Sequence, residues 1–392
     1  MDVKQLFQEY VLNTYTKVGP VFVRGNGSWL WDEDGKKYLD LFPGWGVSIL
    51  GHCHPKLVKA LREQLGALIH LPNNLYQAEQ ALLAKEIVTN CFPAKVFFGN
   101  SGAEGVEGAL KISRLYGQKK GRYEIITMTN SFHGRTFGAM SATGQKKYKD
   151  PFKPILPGFK EAKFGDLTGL KKKITGKTVG VMLELIQGEG GINIADPAYI
   201  HNVKLLCQEN DLLFIADEVQ TGMGRTGELF CFQNYAITPD IMVLSKGLGA
   251  GIPVSAIVAS NKLASLLHPG LHASTFGGSP LAARAARETF RIIKDDKLLA
   301  NVKTSGNYLV SRLKELRKRF PVIKEVRGMG VMVGLELGCD GTPIVQTALK
   351  HGLIINCTHV NVLRIMPALN VTKAELDKGL DILEQSLVRV NH

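Results

Sequence analysis

A lysine closes an apolar run in residues 239–253, PDIMVLSKGLGAGIP. Ile241–Leu244 read as a short buried strand, and Gly247, Gly249 and Gly251 keep bulky side chains away from whatever Lys246 faces. A buried ammonium is costly, so burial favours the neutral amine, the form that condenses with a carbonyl compound. Taken alone, the same lysine could simply snorkel to solvent from a strand end. Upstream lies LLFIADEVQTG, in which residues 212–216 read as a second apolar strand closed by Asp217 and Glu218. The interval between the two is that of a βαβ unit, whose parallel strands open their C-terminal ends on one edge of the sheet. Asp217 and Lys246 are therefore expected to face one crevice.

An imine-forming lysine beside an acid able to pair with a pyridinium nitrogen is the pairing used in pyridoxal phosphate (PLP) chemistry. Other stretches offer matching groups. KVFFGNSGAEGVEGALKISRLYG reads as strand, glycine turn and helix, with Ser101, Gly102 and Ala103 where the helix begins. Free backbone N–H groups and the helix dipole suit a phosphate there, although plain N-capping by Ser101 accounts for the same residues. In NSFHGRTFGAMSATGQ, Phe132 offers a ring for stacking and Arg135 a guanidinium that grips a carboxylate. The plainer alternative is a surface arginine beside a core aromatic. Glu184 and Glu189 end a further apolar strand, residues 179–186, and Arg364 sits inside the apolar stretch VNVLRIMPAL, where a lone guanidinium needs an acid or a substrate.

Strands alternating with helices from about residue 95 to 260 imply an α/β domain with a mainly parallel sheet. Ahead of it, PVFVRGNGSWLWDEDGKKYLDL alternates like a small antiparallel meander, and a helix from Lys56 puts Leu57, Leu61, Leu65 and Leu68 on one face. Behind it, the chain returns as a smaller α+β lobe, with a capping box of Thr372 and Glu375 opening the last helix. The expected division is residues 1–45 with the small lobe, 46–284 as the large domain and 285–392 as the small one. The 392 residues are 45% hydrophobic and 21% charged, ordinary for a globular protein. The N-terminal residues do not read as a signal peptide and no apolar run is long enough to cross a membrane, so a cytoplasmic protein is expected. A net charge of +13 lies in scattered lysines without interleaved aromatics, which argues against nucleic acid. Six dispersed cysteines without a CxxC argue against a disulfide framework. His52, Cys53 and His54 are too close in sequence to converge on one metal ion, and a turn is expected there.

Taken in order, GHCHP, NSGAE, FHGRTFGAMSATGQ, IQGEGG, DEVQTGMGRTG, LSKGLGAG and STFGG resemble the class III (omega) aminotransferases of PLP fold type I, and most of all their acetylornithine and ornithine branch. The resemblance spans nearly the whole chain. It implies that Ser101, Gly102 and Ala103 hold the PLP phosphate, that Phe132 and Val219 pack on either side of the ring, and that Asp217 and Gln220 meet its nitrogen and phenolic oxygen. Lys246 would carry the cofactor. Thr275 would reach the partner subunit's phosphate, making a homodimer, and Arg135 and Arg364 would bind substrate carboxylates, with Glu189 covering Arg364 between them. Tyr15 and Trp45 would line the substrate pocket.

The reaction implied is transfer of the δ-amino group of N-acetylornithine to 2-oxoglutarate, in arginine biosynthesis. Ornithine, succinylornithine and 4-aminobutyrate remain alternative donors, and a PLP-dependent aminomutase is the rival reaction on the same fold. Three departures stand out. Leu185 replaces the usual proline, Gly105 and Gly108 weaken the helix after NSGAE by about 1 kcal/mol each relative to alanine, and Trp45 replaces a smaller residue or tyrosine.

Overall fold

The computed structural model describes residues 2–390. A seven-stranded sheet runs in the order Ala94–Gly99, Ser255–Ser260, Ile241–Leu244, Leu213–Asp217, Thr178–Leu183, Glu124–Met128, Phe159–Ala162. Every strand but Ser255–Ser260 points the same way; that one is antiparallel to both of its neighbours. Its connection, residues 245–254, holds only the 3-10 turn Lys246–Leu248, too little for the crossover that a parallel strand requires.

The central strands are buried on both faces, which is why they read as unbroken apolar runs. Alternation along them feeds two cores. Ile241, Val243, Leu213 and Ile215 pack with Val106, Ala109 and Ile112 of the helix Gly102–Gln118 on one face. Met242, Leu244, Phe214 and Ala216 pack on the other, with Ile200 and Val203 of Pro197–Glu209. The glycines expected to weaken Gly102–Gln118 have a packing reason. A Cβ at Gly105 would lie 2.6 Å from Val243 Cγ1, and one at Gly108 2.0 Å from Ile257 Cδ1. The lost propensity is traded for a helix lying close on the sheet.

The smaller lobe takes strands from both chain ends. Phe22–Asn26, Trp29–Asp32 and Lys37–Asp40 form the expected antiparallel meander, and Leu353–Ile354 joins it in parallel with Leu353 opposite Leu39. A second four-stranded sheet, all antiparallel, holds Ile323–Met329, Met332–Leu337, Val362–Ile365 and Asn356–Thr358. Leu39, Leu41, Leu309, Leu335, Leu363 and Leu380 meet in one core between them. The capping box forms as expected: Glu375 N donates to Thr372 Oγ1 at 3.2 Å and Thr372 N to Glu375 Oε2 at 2.9 Å, opening Lys373–Val390.

Two details differ from expectation. The helix Pro280–Asp295 runs without a break through residue 284. The helix Pro55–Ala67 stops before Leu68, and only Leu57 of the expected apolar stripe is buried, while Leu65 and Leu68 stay exposed. Among the described residues no helix is long and apolar enough to cross a membrane.

Candidate active site

The parallel strands end on one edge, and that edge gathers the chemistry. Asp217 pairs in register with Val243, so Lys246, just past the end of Ile241–Leu244, stands beside it. Glu184 follows Thr178–Leu183, and His133 follows Glu124–Met128. A cavity of about 250 Å³ opens there. Its walls include Gly102, Ala103, Phe132, Arg135, Glu189, Asp217, Val219, Gln220 and Lys246.

Lys246 has a left-handed backbone, φ +43°. Such a conformation costs a non-glycine residue about 1–3 kcal/mol and persists where the surroundings over-determine it. Burial pushes its ammonium below the ordinary lysine range, with Arg364 adding to the effect and Glu189, Asp217 and Glu184 opposing it. The amine is thereby moved toward the neutral, nucleophilic form.

Asp217 accepts from Val219 N at 3.1 Å, while its other oxygen meets His133 Nδ1 at 2.7 Å. Burial disfavours a charged His133, but the hydrogen bond and charge of Asp217, helped by Glu184, prevail and hold its pKa above the usual imidazole value. Burial raises Glu184 to about 7; nearby Asp217 adds to this, while His133 and the N–H groups of Phe132 and Gly188 pull the other way. Those N–H groups donate to the carboxylate at 2.9 and 3.3 Å. Neither His133 nor Glu184 was assigned a role from sequence. The available signal was their place at the ends of apolar strands sharing the edge with Asp217.

Arg364 is fully buried, and the acid it needs is Glu189, 2.5 Å from Nη1. Burial alone would raise Glu189; the guanidinium instead holds it below the usual carboxylate range. The Arg364 guanidinium lies 4.8 Å from the Phe42 ring centroid and 5.2 Å from that of Trp45. Trp45 takes this place on a left-handed backbone, φ +61°, between Gly44 and Gly46. Arg135 is exposed at the cavity wall, 4.0 Å from the Tyr148 ring centroid and 5.5 Å from that of Phe132.

Several residues named from sequence stand apart. Ser101 caps Gly102–Gln118 by accepting from Glu104 N at 3.3 Å, next to the cavity wall at Gly102. Tyr15 is exposed in the N-terminal segment, beside Phe7 and Val18 and away from the cavity. Thr275 is exposed and does not line the cavity. Its neighbour Ser274 accepts from Asn100 Nδ2 at 3.3 Å, so the loop lies beside the phosphate-type turn of its own chain despite their distance in sequence. His52 of the GHCHP stretch meets Asp40 at 2.9 Å.

The cavity fits a polar, anionic aromatic group. His133 Nε2, Gln220 Oε1 and Thr221 Oγ1 are buried in its wall without a hydrogen-bond partner, and such groups are costly unless something in the cavity meets them. A Cβ at Gly102 would lie 2.8 Å from Val219 Cγ1. Glycine there lets the first turn of the helix, with its free N–H groups, come up against Val219 at the wall.

Comparison with known proteins agrees with this geometry. The model of the family described as aminotransferase class-III matches residues 11–387. The acetylornithine aminotransferase of Caldanaerobacter subterraneus subsp. tengcongensis is 48% identical over 98% of this chain and 98% of its own. That of Aquifex aeolicus is 44% identical over 96% and 100%. Among solved structures, the ornithine aminotransferase from Toxoplasma gondii superposes with a TM-score of 0.95 at 31% identity, covering 99% of this chain and 94% of that one. The N-acetylornithine aminotransferase from Stenotrophomonas maltophilia gives 0.85 at 34%, covering 99% of each. A strand-edge lysine beside an acid, on a fold shared over almost every residue, leads to one assignment: the chain belongs to the class-III aminotransferases.

Proposed function

We propose that the chain is a PLP-dependent aminotransferase that moves the δ-amino group of N-acetylornithine to 2-oxoglutarate, giving N-acetylglutamate 5-semialdehyde and glutamate, a step of arginine biosynthesis. The observation that carries the reading is the Lys246 and Asp217 pair in one crevice with a buried, acid-covered Arg364. The names of the relatives at 40–48% identity support the donor. The Toxoplasma structure, described with partial occupancy of PLP at its active site, supports the cofactor.

When bound, PLP supplies an electron sink for the substrate carbon that carries the amine. Ser101, Gly102 and Ala103 hold its phosphate at the helix N-terminus. Phe132 and Val219 would flank its ring, Gln220 would meet its phenolic oxygen, and Asp217 would hold the proton on its nitrogen. Lys246 Nζ would hold the cofactor and, once free, would serve as the general base for the proton on the substrate carbon. Arg135, at the cavity wall, holds the carboxylate of the acylated donor. Glu189 covers Arg364 during that half and turns aside when the α-carboxylate of glutamate or 2-oxoglutarate arrives. Trp45, against Arg364, limits the room for the donor.

Acylation blocks the α-amine, so only the δ-amine reacts, and N-acetylornithine should exceed ornithine and 4-aminobutyrate by about tenfold or more in kcat/KM, roughly 1.4 kcal/mol in the transition state. A donor panel with 2-oxoglutarate, including N-succinylornithine, checks this. A tenfold preference for ornithine or 4-aminobutyrate would overturn the donor.

The active unit in this reading is a cytoplasmic homodimer, divided as residues 1–45, 46–284 and 285–392. Leu65, Leu68, Ile69, Leu75, Tyr76 and Phe276 are all exposed. Asn73 Nδ2 donates to Ser274 O at 2.8 Å and to Gly277 O at 3.0 Å, tying the two segments that carry them. An apolar surface of this kind suits a second copy of the chain, and it would bring the exposed Thr275 toward the partner's cavity. Mixing inactive Lys246→Ala chains with inactive Thr275→Ala chains should restore part of the activity in hybrids. Hybrids that form and stay inactive would mean a site complete within one chain.

A further inference from the structure

The hairpin bearing Arg364 holds it by a residue that the reaction above does not use. Asn356–Thr358 pairs with Val362–Ile365 in a register that sets Asn356 opposite Arg364. Asn356 Oδ1 accepts from Arg364 Nε at 2.8 Å and Nη2 at 2.6 Å. Nη1 donates to Glu189 Oε1 at 2.5 Å and Gly188 O at 3.3 Å. On the same strand, Thr358 Oγ1 donates to the Glu189 backbone O at 2.9 Å. Three anchors thus hold the guanidinium, and only Glu189 carries charge.

The division of labour follows from electrostatics. A buried guanidinium needs one anion, and a second buried carboxylate on it would be surplus. Asn356 fills the Nε edge with a neutral oxygen, so it fixes the plane of the guanidinium without cancelling its charge. Once the Glu189 carboxylate rotates away, a full positive charge remains in a set orientation beside the cavity, where a carboxylate can take two N–H bonds.

We propose that Asn356 is a positioning residue that sets specificity for the dicarboxylate substrate, by orienting Arg364 while leaving its charge for the incoming α-carboxylate. This rests on the reading that Arg364 receives that carboxylate. An aspartate of the same shape at this position would neutralise Arg364 permanently and close the subsite to anions.

The test uses holoenzyme and glutarate, a five-carbon dicarboxylate without a reactive carbonyl, titrated by calorimetry. Asn356→Asp should weaken glutarate binding on the order of tenfold to a hundredfold, the range for losing hydrogen bonds to a charged group. Asn356→Ala, which removes the acceptor but adds no charge, should weaken it less. In turnover, the ratio of kcat/KM for 2-oxoglutarate to that for the amino donor should fall about tenfold or more in Asn356→Asp. Native-like glutarate affinity in Asn356→Asp, or equal losses for both substrates, would overturn the proposal. So would a loss in Asn356→Ala as large as in Asn356→Asp. If Asn356→Asp does not fold, Asn356→Ala decides alone, and unchanged affinity there refutes the role. Failure of the native enzyme to bind glutarate at all would instead remove Arg364 from its role as carboxylate subsite.

Discussion

Lys246→Ala is expected to lower turnover by about 10⁴-fold or more, since in the proposed function it removes both the nucleophile and the general base. The loss should fall on both half-reactions, because the same amine takes and returns the proton in each. Folding should be spared. Among the described residues Lys246 makes no side-chain hydrogen bond or ion pair, and burial disfavours its charged form, so alanine removes a costly group from the cavity wall. Single-turnover assays of each half, a visible spectrum and a melting curve separate these effects. The substitution should also abolish the absorbance of lysine-linked cofactor. Retention of more than about a hundredth of the activity would point to another lysine. Lys149 is buried too, but it is paired with Glu161, which leaves it unsuited to the task.

Asp217→Ala should cost about 10³-fold in turnover, the scale for removing a preorganised charge partner from a water-poor site. The structure adds a second, independent expectation. Asp217 is what raises His133 against the effect of burial. Without it, burial governs, the pKa of His133 falls below the ordinary value, and the ring becomes neutral at pH 7. NMR titration of the imidazole in the cofactor-free variant should show this fall. Glu184 should shift upward, because the charge of His133, which lowers it, outweighs the raising influence of Asp217, and the variant loses both. A buried imidazole left without its partner should also lower stability by about 1–3 kcal/mol. If turnover falls while His133 keeps its raised pKa, another group supplies its charge partner.

Much of the sheet was legible because its strands are continuous apolar runs between turn residues. The strand Ile241–Leu244 matches its expected limits. Direction was less legible, since a strand buried on both faces reads alike in either sense; the brevity of residues 245–254 was the available clue for Ser255–Ser260. Partners across the edge were not legible at all. Strand-end placement could put His133 on the same edge as Asp217 but not in contact with it, and nothing about Asn356 points to Arg364, because each pair meets only through strand order and register. The glycines at 105 and 108 misled for a related reason. Propensity is local, whereas Val243 and Ile257 that require them lie far along the chain.

The tether from Thr358 to the Glu189 main chain has a bearing on speed. With its backbone fixed by that bond at 2.9 Å, Glu189 can uncover Arg364 only by rotating its side chain. Exposed side chains change rotamer in picoseconds to nanoseconds, and Glu189, 15% exposed and paired with Arg364, must also break that pair, while hinge motions of whole lobes take microseconds to milliseconds. Typical turnover, about 1–10³ per second, overlaps at its fast end with millisecond hinge motions, whereas a side-chain rotation does not approach it. If Glu189 covers Arg364 as proposed, the alternation between two substrate chemistries needs no movement of whole lobes. In the proposed function the subsite would then reset by side-chain rotation alone, without a hinge motion in each half-reaction.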